Sequence, residues 1–528
     1  MLKPLFASSF AIVSYLAVSS ALFLIFRRQI ENFLNNITMY RVVLYGLIIL
    51  LLGALLFSYL RILSFSPAAL VFSTLALLAF NWLANFLCAK FLRLPVNAES
   101  VYITALILAL IIPPPTLGLS STLPFLIWAS IWAQASKYIL NINNKHLFNP
   151  AALAVALVAL AMNQSANWWV GTASMLYLSW PIGLLIIKKV QRFDAILAFL
   201  IGAFGIIFTL GSSSPAAALY KTLVDAPLIF FASVMLTEPL TMPPTRDGRL
   251  AYGLLVGVLF APETHIGKFD FTPELALLAG NVFSYIISPK QRLVLTLKSI
   301  KKAGEDIYDF VFNNPQSFKF RPGQYMELTL AHNKQDSRGN RRYFTLASSP
   351  TEADITLGIK FYQQPSSYKR ALAKMRPGDK IVAGQLAGDF TLPHNRNKKL
   401  VFIAGGIGIT PFRSMLKYLI DTNQRRTITL LYSCRNKNEI AYGDVLTQAS
   451  ALGMPTFCTL TDPNPPADWN GFSGYLDAQK IAAAVPDFRE RYFYISGSNL
   501  MVRSVKATLR GMDVSPRRII TDFFPGLA

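Results

Sequence analysis

Cysteine and histidine are scarce in this 528-residue sequence, with three widely spaced cysteines (Cys88, Cys434, Cys458) and four histidines. That excludes a zinc module or a cysteine-ligated iron–sulfur centre within the chain. Charge is scarce as well. Charged residues make up 15% and hydrophobic residues 53%, whereas a soluble domain carries about 25% charged residues. Neither intrinsic disorder nor a wholly soluble fold suits that composition. Acidic residues are the rarer sign, 28 against 50 Lys and Arg, for a net charge of +22. The excess forms no basic stripe, since residues 1–289 hold 16 basic and 9 acidic residues and the remainder 34 and 19. Membrane topology and an anionic cofactor fit this distribution better than nucleic acid. No long repeat or low-complexity tract is visible.

What is present is a series of apolar runs, near 6–26, 42–60, 67–89, 101–119, 122–138, 149–163, 169–187, 195–211, 226–240, 250–262 and 272–288. They make about eleven candidate spans, several shortened by Pro or Gly. The first run continues to Phe26 and closes on Arg27 and Arg28, which reads as a retained anchor, not a cleaved signal. Assigning the runs to alternate sides puts 12 of the 16 basic residues on the side of residues 27–41, with only Lys3, Arg61, Lys221 and Lys268 opposite. By the positive-inside rule that side is cytoplasmic. The expected location is therefore a cell inner membrane, multi-pass, with everything after Lys290 in the cytoplasm.

After Lys290 the texture changes to strand-like runs such as Arg292–Leu297 and Tyr325–Leu330. From Lys399 it becomes strand, glycine loop and helix: Leu400–Ala404, then Phe412–Ile420, then Thr427–Ser433. The expected organisation is a polytopic α-helical membrane domain (1–289), a β-barrel (291–397) and an α/β nucleotide-binding domain (398–528), the last two joined near Pro393–Asn397.

Two stretches of the second half carry chemistry. Gly405-Gly406-Ile407-Gly408-Ile409-Thr410-Pro411 lies between a strand and a helix, where glycines admit a pyrophosphate to the backbone, Thr410 is placed to cap the helix and Pro411 suits its first turn. Upstream, Arg342, Phe344, Thr345 and Ser348 fall within one strand and its exit, offering a cation, a flat ring and hydroxyls to a phosphate and a heteroaromatic ring. With Arg321-Pro322-Gly323-Gln324-Tyr325 and Gly388-Asp389-Phe390-Thr391, these motifs resemble the ferredoxin–NADP⁺ reductase family over residues 291–528.

That resemblance makes the expected barrel an FAD-binding β-barrel and the α/β domain a nicotinamide-binding one. It implies FAD on Arg342, Phe344, Thr345, Ser348 and the Ser366–Ser367 pair. It implies NADH or NADPH on Gly405, Gly406, Gly408, Thr410 and Pro411, with Ser433 and Arg435 at the ribose. Phe344, Ser496 and Phe524 are then the groups nearest the reacting rings. Three departures from the family pattern stand out: Phe344 lacks a hydroxyl, the usual glycine before Ser366 is absent, and Ser496-Gly497 replaces Cys-Gly.

In the first half, Asn97-Ala98-Glu99-Ser100, Lys145-His146-Leu147-Phe148-Asn149-Pro150-Ala151-Ala152, Leu236-Thr237-Glu238-Pro239 and Pro244-Thr245-Arg246-Asp247-Gly248-Arg249 resemble the membrane subunit shared by the sodium-pumping NADH:quinone reductase (its B subunit) and the Rnf complex (its D subunit). The resemblance implies a flavin in the membrane half. The family's Ser-Gly-Ala-Thr attachment motif for FMN is absent, and Gly171-Thr172-Ala173-Ser174 is the nearest string, making Thr172 the candidate. Glu238 and Glu99 are the carboxylates that need a partner or a task, because a lone charge in lipid costs several kcal/mol. Together the halves imply a membrane-bound NAD(P)H-oxidising flavoprotein, with lipid around it and a membrane flavin, quinone or flavoprotein as acceptor. The alternative is an electron-transfer and ion-coupling subunit of a larger complex. A haem-type ferric reductase or NADPH oxidase needs paired membrane histidines, and this half has only His146 and His265.

Overall fold

The computed structural model describes residues 9–35, 37–92, 98–115, 119–142, 145–162, 166–211, 214–224, 226–267, 269–288, 293–314, 318–332, 336 and 340–522. It divides into two compact units, Met1–Lys290 and Gln291–Ala528.

The first unit is helical: α1 (Ser9–Ile25), α2 (Arg27–Asn35), α3 (Met39–Tyr59), α4 (Pro67–Leu92), α5 (Ala98–Ile111), α6 (Leu119–Ile139), α7 (Pro150–Met162), α8 (Ala173–Val190), α9 (Phe193–Leu210), α10 (Pro215–Val224), α11 (Leu228–Phe230, continued as a π-turn over Phe231–Met235), α12 (Arg246–Phe260) and α13 (Pro273–Ile287). These helices put apolar groups outside as well as inside. Leu52, Leu75, Leu83 and Leu197 are exposed, while Asn81, Ser130 and Gln134 are buried. Asn81 donates to Ser130 Oγ at 2.9 Å and accepts from Gln134 Nε2 at 2.6 Å, the arrangement of a bundle solvated by lipid and held by internal polar contacts.

The eleven apolar runs do not become eleven full-length spans. Among the described residues four helices are long and apolar enough to cross a membrane, Met39–Tyr59, Pro67–Phe91, Ala173–Val190 and Phe193–Leu210, and a further apolar pair, Ala217–Val224 and Leu228–Met235, is bent by 64°, as in a broken span or a re-entrant loop. α5 and α7 have 14 and 13 residues, about 20 Å at 1.5 Å per residue against a hydrocarbon core of about 30 Å. Proline sets these limits. α5 stops before Pro113-Pro114-Pro115 and α7 starts at Pro150.

Two short hairpins in this unit each lead into a helix. A two-residue antiparallel hairpin, Asn141–Ile142 with Lys145–His146, leads into α7, and a second, His265–Ile266 with Phe269–Asp270, leads into α13. Phe148-Asn149-Pro150 precedes one helix and Phe271-Thr272-Pro273 the other. Before each lies a packed pair of helices, α4 with α6 and α9 with α12, and α7 packs on α13. α9 and α12 approach closely, since a Cβ on Gly253 or Gly257 would fall 2.2 or 2.1 Å from the carbonyls of Ala195 or Phe199. Arg249 on α12 pairs with Asp194 on α9 at 2.6 Å.

The second unit has two six-stranded sheets. Its strands are β1 (Leu293–Lys302), β2 (Ile307–Asn313), β3 (Tyr325–Thr329), β4 (Arg341–Thr345), β5 (Asp354–Lys360), β6 (Lys380–Ala387), β7 (Leu400–Gly405), β8 (Ile428–Cys434), β9 (Thr456–Leu460), β10 (Phe472–Ser473), β11 (Tyr492–Ser496) and β12 (Ile519–Asp522). The first sheet is antiparallel in the order β4-β3-β6-β1-β2-β5. Alternate residues Leu293, Leu295 and Leu297 of β1 point into its core with Phe310, Phe312 and Leu357. Its edges meet at one bridge, Leu346 to Leu357. The helix α14 (Ser367–Ala373) precedes β6.

The second sheet is parallel in the order β10-β9-β8-β7-β11-β12. β7 is buried throughout Leu400–Ala404, as expected for a central parallel strand covered on both faces. α15 (Thr410–Asp421), α16 (Gly443–Ala451), α17 (Ala478–Ala484) and α18 (Asn499–Gly511) complete the layers. Strand order runs outward from β7 through β8 to β10, then resumes on the other side with β11, so the direction of winding reverses between β7 and β11. In open α/β sheets ligands bind outside the carboxyl ends of the strands at such a reversal.

Candidate functional site

At that reversal lies the glycine turn. Gly405 ends β7, Gly406–Ile409 form a single 3₁₀ turn, and Thr410 opens α15 with Pro411 in its first turn. The three glycines serve different ends. A Cβ on Gly408 would lie 2.3 Å from the Ser496 carbonyl, so this glycine lets the turn lie against β11. One on Gly405 would strike Met501 Sδ at 2.1 Å. Gly406 has φ +52° and nothing within 4 Å of the position its Cβ would take, which leaves backbone exposed beside open space, as a phosphate requires. Thr410 does not cap α15. Its hydroxyl donates back to the Ile407 carbonyl at 3.1 Å, stiffening the turn.

Ser496 ends β11 opposite Ala404. Its hydroxyl is fully buried and has no hydrogen-bond partner among the described residues. Ser433, next to last in β8, is in register with Gly405, and Arg435 follows the strand with an exposed side chain. Glu439, not anticipated from sequence, caps this end: it accepts from the Arg435 amide at 3.1 Å and from Lys360 Nζ of β5 at 2.8 Å.

On the first sheet, Arg342 and Phe344 converge on one ring. The Arg342 guanidinium lies 5.2 Å over the centroid of Tyr368 and the Phe344 ring 6.0 Å from it. Tyr368 is fully buried in the first turn of α14 and donates to the Leu328 carbonyl at 3.2 Å. Burial raises its phenol above the usual range, with Arg342 opposing. Thr345 is 4% exposed, and its Oγ1 has no partner among the described residues. An orphaned buried hydroxyl costs about 1–3 kcal/mol, so Thr345 and Ser496 each fit a ligand heteroatom. Ser348 is different: its hydroxyl accepts from the Thr356 amide at 3.0 Å and holds the strand exit.

Ser366 caps α14, accepting from the Lys369 amide. The Ser367 amide donates to Asp336 Oδ2 at 3.0 Å, the Asp336 amide donates to Ser367 Oγ at 2.9 Å, and Asp336 Oδ1 lies 3.6 Å from Arg342. The Asp336 carboxylate thus engages the donors that the resemblance assigns to the flavin diphosphate, and stands in for that anion. The donor set fits the group. Phe524 lies outside the described residues.

Several contacts bind the two sheets into one unit. Arg413 on α15 donates to Glu352 from both terminal nitrogens, one at 2.8 Å, and to the Ala347 carbonyl at 2.9 Å. Tyr442 donates to Asp309 on β2 at 2.6 Å. Burial raises the Asp309 carboxyl above its usual range, opposed by the Tyr442 bond and the Arg413 charge.

In the first unit Glu238 follows the π-turn of α11. Its carboxylate accepts from Asn149 Nδ2 at 2.8 Å and from Thr241 Oγ1 at 3.2 Å. Lys137, buried near the end of α6, donates to Thr104 Oγ1 at 2.8 Å and to the Ser100 carbonyl at 3.1 Å, and its charge interacts with Glu238. Glu99 is placed otherwise, in an ion pair with Arg41 at 3.5 Å that is about one-third exposed. Thr172 precedes α8, its hydroxyl 3.4 Å from Ser174 Oγ, and the cavity beside it holds about one water molecule. Glu274, also unforeseen, is buried and accepts from Trp168 Nε1 at 2.9 Å.

Comparisons with known proteins divide the chain as the structure does. The oxidoreductase NAD-binding domain family model matches residues 402–507, and the NQR2, RnfD, RnfE family model matches residues 169–292. The two halves match two families. Among curated proteins, the chain is similar to a glycine betaine monooxygenase reductase subunit of Chromohalobacter salexigens, 26% identical over 213 residues, 39% of this chain and 57% of that one. It is also similar to a Na(+)-translocating NADH-quinone reductase component of Neisseria meningitidis, 30% identical over 207 residues, 35% of this chain and 49% of that one. It thus spans about half the length of the curated relatives it matches. Among solved structures it is similar to a ferredoxin NADP+ reductase from Neisseria gonorrhoeae with bound FAD and NADP, at 22% identity and a TM-score of 0.38, over 44% of this chain and 98% of that one.

Proposed function

We propose that this chain is a membrane-bound NAD(P)H-oxidising flavoprotein that passes electrons to an acceptor in the membrane. The observation that carries the reading is the open glycine turn at Gly406, placed where the parallel sheet reverses and beside the buried, unpartnered Ser496 hydroxyl. The first sheet is read as the FAD-binding barrel, closed through the Leu346 to Leu357 bridge. FAD, when bound here, would supply the redox chemistry, accepting a hydride from reduced nicotinamide and passing electrons on singly or in pairs.

The chain's own residues bind and orient. Arg342 and the Ser366–Ser367 turn hold the diphosphate once Asp336 withdraws, and the Thr345 hydroxyl meets a ring heteroatom. Phe344, packed on Tyr368, fixes the ring plane. Gly405, Gly406, Gly408, Thr410 and Pro411 form the nicotinamide pyrophosphate turn, Ser433 and Arg435 meet the ribose, and the Ser496 hydroxyl and Phe524 border the reacting rings. The orientation is that of the basic-residue count, with the reductase unit cytoplasmic and the helical unit in the inner membrane. Purified full-length protein should carry FAD and oxidise NADH or NADPH with an artificial acceptor. A folded preparation that stays colourless with added FAD contradicts this.

A second reading is favoured by one feature, the buried Lys137 and the half-buried, hydrogen-bonded Glu238 beside half-length helices. A bare anchor needs one or two spans, and broken helices line sites. The membrane unit then couples electron flow to an ion, as part of a larger complex with a quinone, flavin or flavoprotein acceptor. Co-purification of partner chains, or sodium- or proton-dependent turnover, distinguishes it from a self-sufficient reductase.

A further inference from the structure

A cavity of about 830 Å³ in the second unit belongs to neither cofactor position. Thr391–Arg396 lead into β7, and Gln424 and Arg426 lead into β8, so this cavity lies at the N-terminal edge of the parallel sheet. The glycine turn and Ser496 are at the opposite edge, about 20 Å away along a six-residue strand. The other wall comes from the first sheet, where Phe318–Pro322 approach β3 and Pro350–Ala353 approach β5.

Its lining is strongly cationic, with Lys319, Arg321, Arg396 and Arg426. The one lining carboxylate, Glu352, is bound by Arg413. Arg426 is the informative member. One of its terminal nitrogens donates to the Pro393 carbonyl at 2.9 Å, but its Nε is buried without a partner among the described residues. Burial and the neighbouring Arg396 charge both disfavour its cationic form. A guanidinium kept partly desolvated against a like charge is a loss that an anion between the two would reverse.

The size and the remaining lining narrow the anion. The volume lies in the range of small-molecule sites, and inorganic phosphate fills little of it. Phe318, Phe320 and Tyr418 supply ring surface on the same walls. We propose that this cavity binds a phosphate monoester bearing an aromatic or apolar group, its phosphate between Arg426 and Arg396 and its apolar part on the Phe320 and Tyr418 rings. The same chemistry is offered by a soluble phosphate ester and by the headgroup of an anionic lipid.

Phenyl phosphate is the probe, titrated calorimetrically into full-length protein in nonionic detergent with saturating NAD⁺ to fill the glycine turn. Saturable binding is expected, with phenol not binding and inorganic phosphate binding more weakly. Arg426→Gln should weaken the phenyl phosphate site roughly ten-fold or more, the scale of one charged hydrogen bond, with NAD(P)H oxidation by an artificial acceptor unchanged. Arg396→Gln, at an exposed position on the other side of the phosphate, provides the same test should Arg426→Gln fail to fold. Competition by nanodiscs containing phosphatidic acid, but not by phosphatidylcholine alone, identifies a lipid as the source. Absence of that competition identifies a soluble ester. No saturable binding at millimolar probe, or equal affinity in the variants and the parent, overturns the proposal.

Discussion

Asn149 donates from its Nδ2 to the Glu238 carboxylate at 2.8 Å, joining the start of one short helix to the end of the π-turn 89 residues later. The same residue accepts from the Ala151 and Ala152 amides through Oδ1, and its own amide donates to Asn281 Oδ1 on α13 at 2.8 Å. One residue, through its side chain and its own amide, therefore ties together the α7 N-terminus, the carboxylate and α13. Satisfying so many polar groups away from water is what a built site requires, and what a plain anchor does not.

Glu238→Ala should slow reduction of quinone or another membrane acceptor while soluble-dye reduction stays unchanged. Asn149→Ala should act in the same direction, with a loss of roughly ten-fold, the scale of one hydrogen bond to a charged group. Parallel assays with a quinone and a soluble dye check this. Equal loss in both assays would instead mark Glu238 as a folding residue.

Gly406→Val should raise the KM for the nicotinamide and leave FAD occupancy nearly intact. The new side chain enters space that is open at present, and a β-branched residue at φ +52° adds strain of about 1–3 kcal/mol. Flavin content and steady-state kinetics on the same preparation separate the two effects.

Thr345→Val removes a hydroxyl that has no partner among the described residues, so stability without flavin should be unchanged or higher. FAD affinity should fall by roughly ten-fold, the scale of one hydrogen bond. Thermal unfolding of flavin-stripped protein alongside an FAD titration measures both.

The glycine turn and the Arg342–Thr345 strand were legible because their demands are local: a positive φ, a close approach, a hydroxyl next to a ring. The partners of those residues were not. Tyr368 sits under Arg342 only because α14 packs on the first sheet, and Asp336 reaches Ser367 from a loop 31 residues earlier. In the membrane half, hydropathy windows register apolar length but not the prolines that cut α5 and α7 short, so spans and half-helices look alike. The Thr410 cap expectation failed because Thr410 already has helical dihedrals, one position inside the helix, where its hydroxyl donates back to the Ile407 carbonyl.

Burial pushes the Cys434 thiol up to about 12 and the Cys458 thiol up to about 11, against about 8.5 for a free cysteine. Both should therefore resist alkylation at pH 8 until the chain is unfolded. A folded pKa raised above the unfolded one contributes stability that is fully present below pH of about 8.5 and is lost as pH rises toward 11–12. Thermal unfolding scanned upward from pH 8 should show that decline, and Cys434→Ala should make it shallower.

The most direct measurement is an anaerobic titration of purified full-length protein with NADH or NADPH, counting electrons taken up per chain. If the membrane half holds its own carrier and is electrically connected to the reductase unit, uptake exceeds what the one FAD of the second unit can accept, and the excess disappears when that FAD is removed. Uptake equal to a single flavin, unaltered by added quinone and the same in Glu238→Ala, would contradict it and leave the helical unit an anchor.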